Sequence, residues 1–373
     1  MKRLVLILTL IGMITAIAAC GTINKSLKIP THKSESKNSA VNTPISTTTT
    51  TKTLKVVPPS KRHGPQLGID VLWYDNNETI STINQEANQT LNYIVGLGAN
   101  AISISFPFYD IGGLTGSKVS AGQYTPSPTS LGFVIKSAEN RGLQVSLRPL
   151  MDEANLSPGW RGVIKPANIT TWFASYNSFL KPYLQLAQET QVSAFIIGAE
   201  LSSIQSLPQW QTTIEQARGI YNGTIGYSDN YDKYASNSFG PNVSQIGLDA
   251  YFPIQVNYRA NITAITSAWN AYLSHVNQQV LSSTVIDEVG IAAQQGAFSA
   301  PYQTSFNTPI DVQVQSNWFA AACQFFRQHK MAGIYYWSVD LNNNPSTAKP
   351  TNDSPTSFIG RGDTAIKQCF NHG

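Results

Sequence analysis

Short apolar runs alternate along this chain with longer stretches in which apolar residues recur every three or four positions. The runs lie at 66–72, 100–106, 143–149, 193–199, 223–228, 244–250, 282–287 and 332–338. Their length and the turn residues around them predict eight buried strands. In one intervening stretch Trp172, Tyr176, Phe179, Tyr183 and Ala187 share a helical face, and in the next Trp210, Ile214, Ala217 and Tyr221 do the same. Thr129-Ser130 is expected to cap a helix that runs to Arg141 and stops at Gly142. No fixed-period repeat is present. Eight strand–helix units in about 300 residues predict an α/β fold, a (β/α)8 TIM barrel. A doubly wound open sheet is the alternative, but no Gly-rich nucleotide loop follows the first strand.

The first sixty residues break this rhythm. Lys2 and Arg3 precede an apolar stretch over residues 4–19, and Ala18-Ala19-Cys20-Gly21 follows. A basic start, an apolar middle and small residues before a Cys resemble a bacterial lipoprotein signal, with residues 1–19 removed and Cys20 lipidated. Sixteen apolar residues are few for a membrane span of about 20. Residues 20–62 are rich in Ser, Thr, Lys and Pro, carry five consecutive Thr (Thr47–Thr51) and hold no aromatic residue. Such a segment buries too little apolar area to offset chain entropy, which predicts a disordered linker. Residues 63–373 are then the folded domain.

Composition sharpens this division. The chain of 373 residues is 42% hydrophobic and 12% charged, against about 25% charged in an average globular protein. Ser, Thr, Asn and Gln replace the missing charge, as expected of a secreted protein. Of 25 Lys and Arg, ten fall in residues 1–62, with one of the 21 acids; the domain keeps 15 basic and 20 acidic groups. The formal net charge of +4 therefore belongs to the tether. It suits an anionic lipid surface and makes no case for nucleic acid. A sparsely charged surface builds little repulsion when carboxylates protonate, so the domain is expected to tolerate an acidic exterior.

Because acids are scarce, their positions are informative. Asp70, Asp152, Glu200, Asp229, Asp249, Glu288 and Asp340 fall at or just past the ends of predicted strands, and Asp110 lies slightly beyond the second. Strand ends of one sense form the active-site face of a TIM barrel. Taken singly, each acid reads equally as a helix cap or turn residue. Glu200 and Glu288 stand out because each ends a buried run. Two carboxyls across a barrel mouth are what glycoside cleavage requires, about 5–5.5 Å apart for retention. Aromatic residues cluster on the same rim: Trp73, Phe106, Phe108, Tyr109, Trp160, Tyr251, Phe252 and Trp337. Sugar faces stack on such rings, and rim packing is the competing explanation.

Several segments together resemble a known family. They are Ile197-Gly198-Ala199-Glu200-Leu201 followed by Trp210, and Gly247-Leu248-Asp249-Ala250-Tyr251-Phe252-Pro253. Arg148-Pro149 with Asp152, Trp160-Arg161-Gly162, Trp172-Phe173-Ala174-Ser175-Tyr176 and Tyr227-Ser228-Asp229-Asn230 add to them. Ile286-Asp287-Glu288-Val289-Gly290 and Tyr336-Trp337 complete the set. In order and spacing, over roughly 66–341, the chain resembles glycoside hydrolase family 113, a retaining clan-A type (β/α)8 group best known for endo-β-1,4-mannanases. The resemblance implies Glu200 as general acid/base and Glu288 as nucleophile. It implies that Arg148, Asp229, Asn230, Asp249, Tyr251 and Trp337 lie in or near the sugar site, with Tyr251 donating to Glu288; the strand-end acids and rim aromatics add Asp152, Trp73 and Trp160 as candidate substrate contacts. Ala199 departs from the pattern: many clan-A relatives carry Asn there, and related chains Thr, to meet the sugar 2-hydroxyl.

The sequence thus points to a surface-anchored retaining β-glycoside hydrolase acting on β-1,4-mannan or a related glucan. A non-catalytic sugar-binding lipoprotein and a transglycosylase that remodels cell-surface glycan share the same features. The expected partners are a poly- or oligosaccharide and, through Cys20, the membrane; a monomer is expected. No cofactor is implied, and none of the five His has metal-like spacing. No Gly-x-Ser-x-Gly elbow occurs. With Cys20 acylated, Cys323 and Cys369 remain as an even pair, which predicts a disulfide.

Overall fold

The structure, a computed structural model, describes residues 64–348 and 354–371. The expected signal peptide, the lipidated Cys20 and the linker to residue 62 lie outside the described residues. No helix among the described residues is long and apolar enough to cross a membrane.

Eight parallel strands close into a barrel. They are β1 (Gln66–Leu72), β2 (Ala101–Ile111), β4 (Gln144–Met151), β5 (Ala194–Ala199), β6 (Thr224–Asn230), β7 (Gln245–Asp249), β8 (Val285–Val289) and β9 (Gly333–Asp340). Each pairs with the next, and β1 closes the ring on both β2 and β9. A short β3 (Lys118–Ser120) folds back antiparallel on the end of β2.

The helices are α1 (Ile80–Gly96), α2 (Pro128–Glu139), α3 (Ile169–Thr190), α4 (Gln209–Arg218), α5 (Tyr231–Ala235), α6 (Ile262–Tyr272), α7 (Gln278–Ser283), α8 (Val312–Gln328) and α9 (Asp363–Asn371). Trp172, Trp210, Trp269 and Trp318, on α3, α4, α6 and α8, are fully buried. They carry the core between barrel and helices, since a large ring buries much apolar area. The Cys323 and Cys369 sulfurs are joined, tying α9 to α8 with Cα atoms 5.7 Å apart.

Three details differ from the sequence reading. Ser127, not Thr129-Ser130, caps α2, because Pro128 fits the first helical position and Ser127 Oγ accepts from Ser130 N. Residues 278–283 form α7, so β8 starts at Val285 and Glu288 lies inside the strand. Asp70 sits within β1, fully buried, rather than at the strand end. Its neighbours Ile69 and Val71 belong to the hydrophobic core, so alternation turns Asp70 to the barrel interior.

Candidate active site

Glu288 projects from β8 with both carboxylate oxygens occupied. Arg148 of β4 donates from Nη1 to Oε1, and Tyr251 donates its hydroxyl hydrogen to Oε2 at 2.7 Å. Arg148 is itself fixed by Asp249 at the end of β7, Nη2 to Oδ2 at 2.9 Å. Arg148 and Asp249 are completely buried. A buried pair of this kind is costly to form, but removing one partner strands the other. The pair therefore holds Glu288 from beneath.

Glu200 is the residue after β5, in a left-handed conformation with φ 55°. Its Oε2 accepts from Arg161 Nη1 at 2.8 Å. Burial pushes its carboxyl up to about 7, with the charge of Glu288 adding and the guanidinium of Arg161 opposing.

Glu200 and Glu288 line one cavity of about 560 Å³ at the mouth of the barrel. Trp160, Asn230, Tyr251 and Trp337 line it too. Trp337 has the Arg148 guanidinium 5.9 Å from its ring centre. Such a mixture of apolar rings and a few convergent polar groups is typical of a ligand site. Among the described residues no cluster of His, Cys, Asp and Glu is placed to hold a metal ion.

Other expected site residues lie elsewhere. Trp73 is completely buried in the hydrophobic core, where ring area is worth more than rim exposure. Phe106 and Phe108 pack on Tyr183, Tyr176 and Phe179 of α3, and Phe252 packs on Trp269. Asp152 takes hydrogen bonds from Tyr74 Oη and Ala154 N, closing the loop after β4, and its neighbour Glu153 lines the cavity instead. Asp229 accepts from Gly240 N and lines a separate cavity of about 270 Å³ with Tyr227. Alternation along β6 is the reason. Tyr227 and Asp229 face the helix layer, where Tyr227 meets Trp210, while Asn230 faces the mouth.

Sequence reasoning did not single out Arg161, Glu153, Tyr231 or Tyr302, all of which line the cavity. Tyr302 is 53% exposed and stacks parallel to Tyr231 with ring centres 6.2 Å apart. It lies in the long loop between β8 and α8, whose course Gln294 fixes through bonds to Phe306 and Thr308. Arg161 sits in a quoted motif, and its position between Trp160 and Gly162 was the available signal. A side chain on Gly162 would meet the Trp160 ring at 2.2 Å, so only glycine lets that ring lie against the turn.

A family model described as Glycoside Hydrolase Family 113 matches residues 73–357. No curated protein matches the chain by sequence. Solved structures do match by fold. A GH113 β-1,4-mannanase superposes with a TM-score of 0.70 at 18% identity, covering 83% of this chain and 100% of that one. A β-1,4-mannanase of the same family, solved as a complex, gives 0.69 at 16% identity over the same shares. The GH113 β-mannanase from Alicyclobacillus acidocaldarius, in complex with ManMIm, gives 0.64 at 18% identity, covering 83% of this chain and 98% of that one.

Proposed function

The chain belongs to glycoside hydrolase family 113 and is a glycoside hydrolase; on that premise we propose that it cleaves β-1,4-mannan by double displacement. The observation that carries the mechanism is the contrast between two carboxyls in one cavity. Glu200 holds its proton up to about 7, as a general acid must. Both Glu288 oxygens accept hydrogen bonds from fixed donors, an arrangement suited to a carboxylate nucleophile. Glu200 thus suits the acid role, and Glu288, fixed by Arg148 and Tyr251, suits the nucleophile role.

In the first step a Glu288 oxygen attacks the anomeric carbon, and Glu200 gives its proton to the departing glycosidic oxygen. In the second, Glu200 takes a proton from water as that water displaces Glu288. Trp337 and Trp160 offer faces for sugar rings, and Asn230 offers polar atoms. Buried Ala199 offers no side-chain donor for the sugar 2-hydroxyl, a bond that normally strengthens in the transition state. The mannan preference rests on the family and on relatives described as β-mannanases.

Glu288→Gln and Glu200→Gln are the test, assayed on a panel of soluble β-glycans with reducing-end detection. Turnover should fall by about a thousandfold or more on the preferred glycan, while the folded state and sugar binding persist. Near-full activity of Glu288→Gln on manno-oligosaccharides removes the assignment, and binding without hydrolysis by the native chain favours the sugar-binding alternative. Product analysis separates hydrolysis from transglycosylation. The proposal includes a monomer, tethered outside the cytoplasm through lipidated Cys20. Fatty-acid labelling that survives in Cys20→Ser contradicts the anchor, and a dimer on sizing contradicts the monomer.

A further inference from the structure

The acid/base does not have its guanidinium to itself. Arg161 Nη1 donates to Glu200 Oε2 at 2.8 Å, while Nη2 lies 3.2 Å from Glu153 Oε1. Its Nε donates to the Met151 carbonyl at 3.0 Å, which fixes the plane of the fork. The backbone N–H of Arg161 reaches the same Glu153 oxygen at 3.3 Å. Glu153 is thus held on the turn that presents Arg161, with its side chain 40% exposed against 12% for Glu200.

We propose that Arg161 is a positioning residue that orients the acid/base and sets its proton affinity, and that Glu153 tunes it by sharing the same guanidinium. The inference deepens the reading of Glu200 as acid/base and rests on it. The charge of Arg161 is divided between two carboxyls. One cation next to a lone carboxyl favours the ionised form strongly. A second carboxylate on the same fork returns part of that effect and adds to burial, the larger cause, in keeping the proton on Glu200. Glu153 lies on the cavity side of the same guanidinium, which places it as the counterweight.

Other groups face Glu200 as well. Glu288, Tyr227, Tyr231, Tyr251, Asp249 and Arg148 all act on it through charge or proximity. They belong to the barrel strands, the loop after β7 and the start of α5, none of which the substitutions at Glu153 or Arg161 alter. The two substitutions therefore isolate the fork. They have opposite signs: losing Glu153 gives Arg161 wholly to Glu200 and lowers its proton affinity, whereas losing Arg161 raises it.

The test follows the Glu200 side-chain carboxyl by carbon-13 NMR in the full chain, identified by its loss in Glu200→Gln, beside kcat/KM against pH on a soluble β-1,4-manno-oligosaccharide. Glu153→Gln should move the Glu200 midpoint and the alkaline limb down by about half a pH unit, limited by solvent screening. Arg161→Gln should move both up by about one unit or more, and Arg161→Lys should restore much of the native position. Unmoved midpoints, or shifts of the same sign in both variants, overturn the proposal. So does a rise in KM for Arg161→Gln with an unmoved titration, which makes Arg161 a substrate contact. If Arg161→Gln does not fold, Glu153→Gln decides alone. If the native chain hydrolyses no β-glycan, the catalytic reading fails, and the titration still decides whether the fork works as proposed.

Discussion

Tyr251 Oη donates to Glu288 Oε2 at 2.7 Å from a position two residues beyond Asp249, the residue that anchors Arg148 on the other Glu288 oxygen. One stretch of chain, the end of β7, therefore controls both hydrogen bonds to the Glu288 carboxylate. Burial and the neighbouring carboxylate raise the affinity of Tyr251 for its proton, so it remains a donor.

Tyr251→Phe removes one of these bonds and little volume. A hydrogen bond to a charged group is worth about 1.5–3 kcal/mol. The expected outcome is a loss of about tenfold to a hundredfold in kcat/KM with an unchanged fold. Steady-state kinetics with a circular dichroism control checks it, and an unchanged kcat/KM contradicts it.

The pH profile should follow Glu200. In the proposed double displacement, glycosyl transfer to Glu288 needs Glu200 protonated, and burial pushes the Glu200 carboxyl up to about 7. The rate should therefore fall as pH rises through about 7. A kcat/KM profile whose alkaline limb lies near 5 would show that burial does not hold the proton on Glu200.

Stability should depend on pH through Asp229 in the opposite sense to an ion-paired acid. An unfolded Asp ionises near about 3.9, whereas burial pushes Asp229 up to about 7, against the opposing Gly240 N–H. Buried Asp287 is pushed up to about 6. Between these values the folded state binds more protons than the unfolded one. The contribution is fully present below about pH 4 and is lost as pH rises toward 7, with a slope of up to about 1.4 kcal/mol per pH unit for each group. Urea midpoints between pH 4 and 7 measure it, and Asp229→Asn should flatten the slope. The same sign agrees with the acid tolerance expected from the sparse surface charge.

Tyr302→Ala tests the exposed ring on the cavity rim. An aromatic contact is worth about 0.5–1.5 kcal/mol beyond its area, so KM for oligosaccharides should rise about fivefold, with kcat and Tm little changed. An effect confined to longer oligosaccharides places the ring at an outer position. An unchanged KM for every length shows that the ring does not meet substrate.

The disulfide closes a loop of 46 residues, which corresponds to about 4 kcal/mol in the loop-entropy account. Cys323→Ser with Cys369→Ser should lower the urea midpoint and lower Tm by about 5 °C. Equal Tm for the native chain and the double variant contradicts that account.

The barrel was legible in the linear chain, because the strand and helix periods are local properties and each element is long enough to show them. The observed β1 matches the expected run at 66–72, and the other seven barrel strands fall within a few residues of theirs. The linear chain also marked Glu200 and Glu288 as candidates among seven acids at predicted strand ends, because each reads as leaving a buried run. Facing was harder to read. Asp229 and Asn230 are adjacent, yet one meets the helix layer and the other the cavity, because alternation along β6 is set by its register with β5 and β7. Trp73 read as a rim ring until packing placed it in the core. Only the tertiary structure brought Arg161 and Glu153 to Glu200, through a loop whose course no periodicity encodes. Local pattern fixes what a segment becomes; which side chains share one charge is decided by long-range contacts that the linear order does not contain.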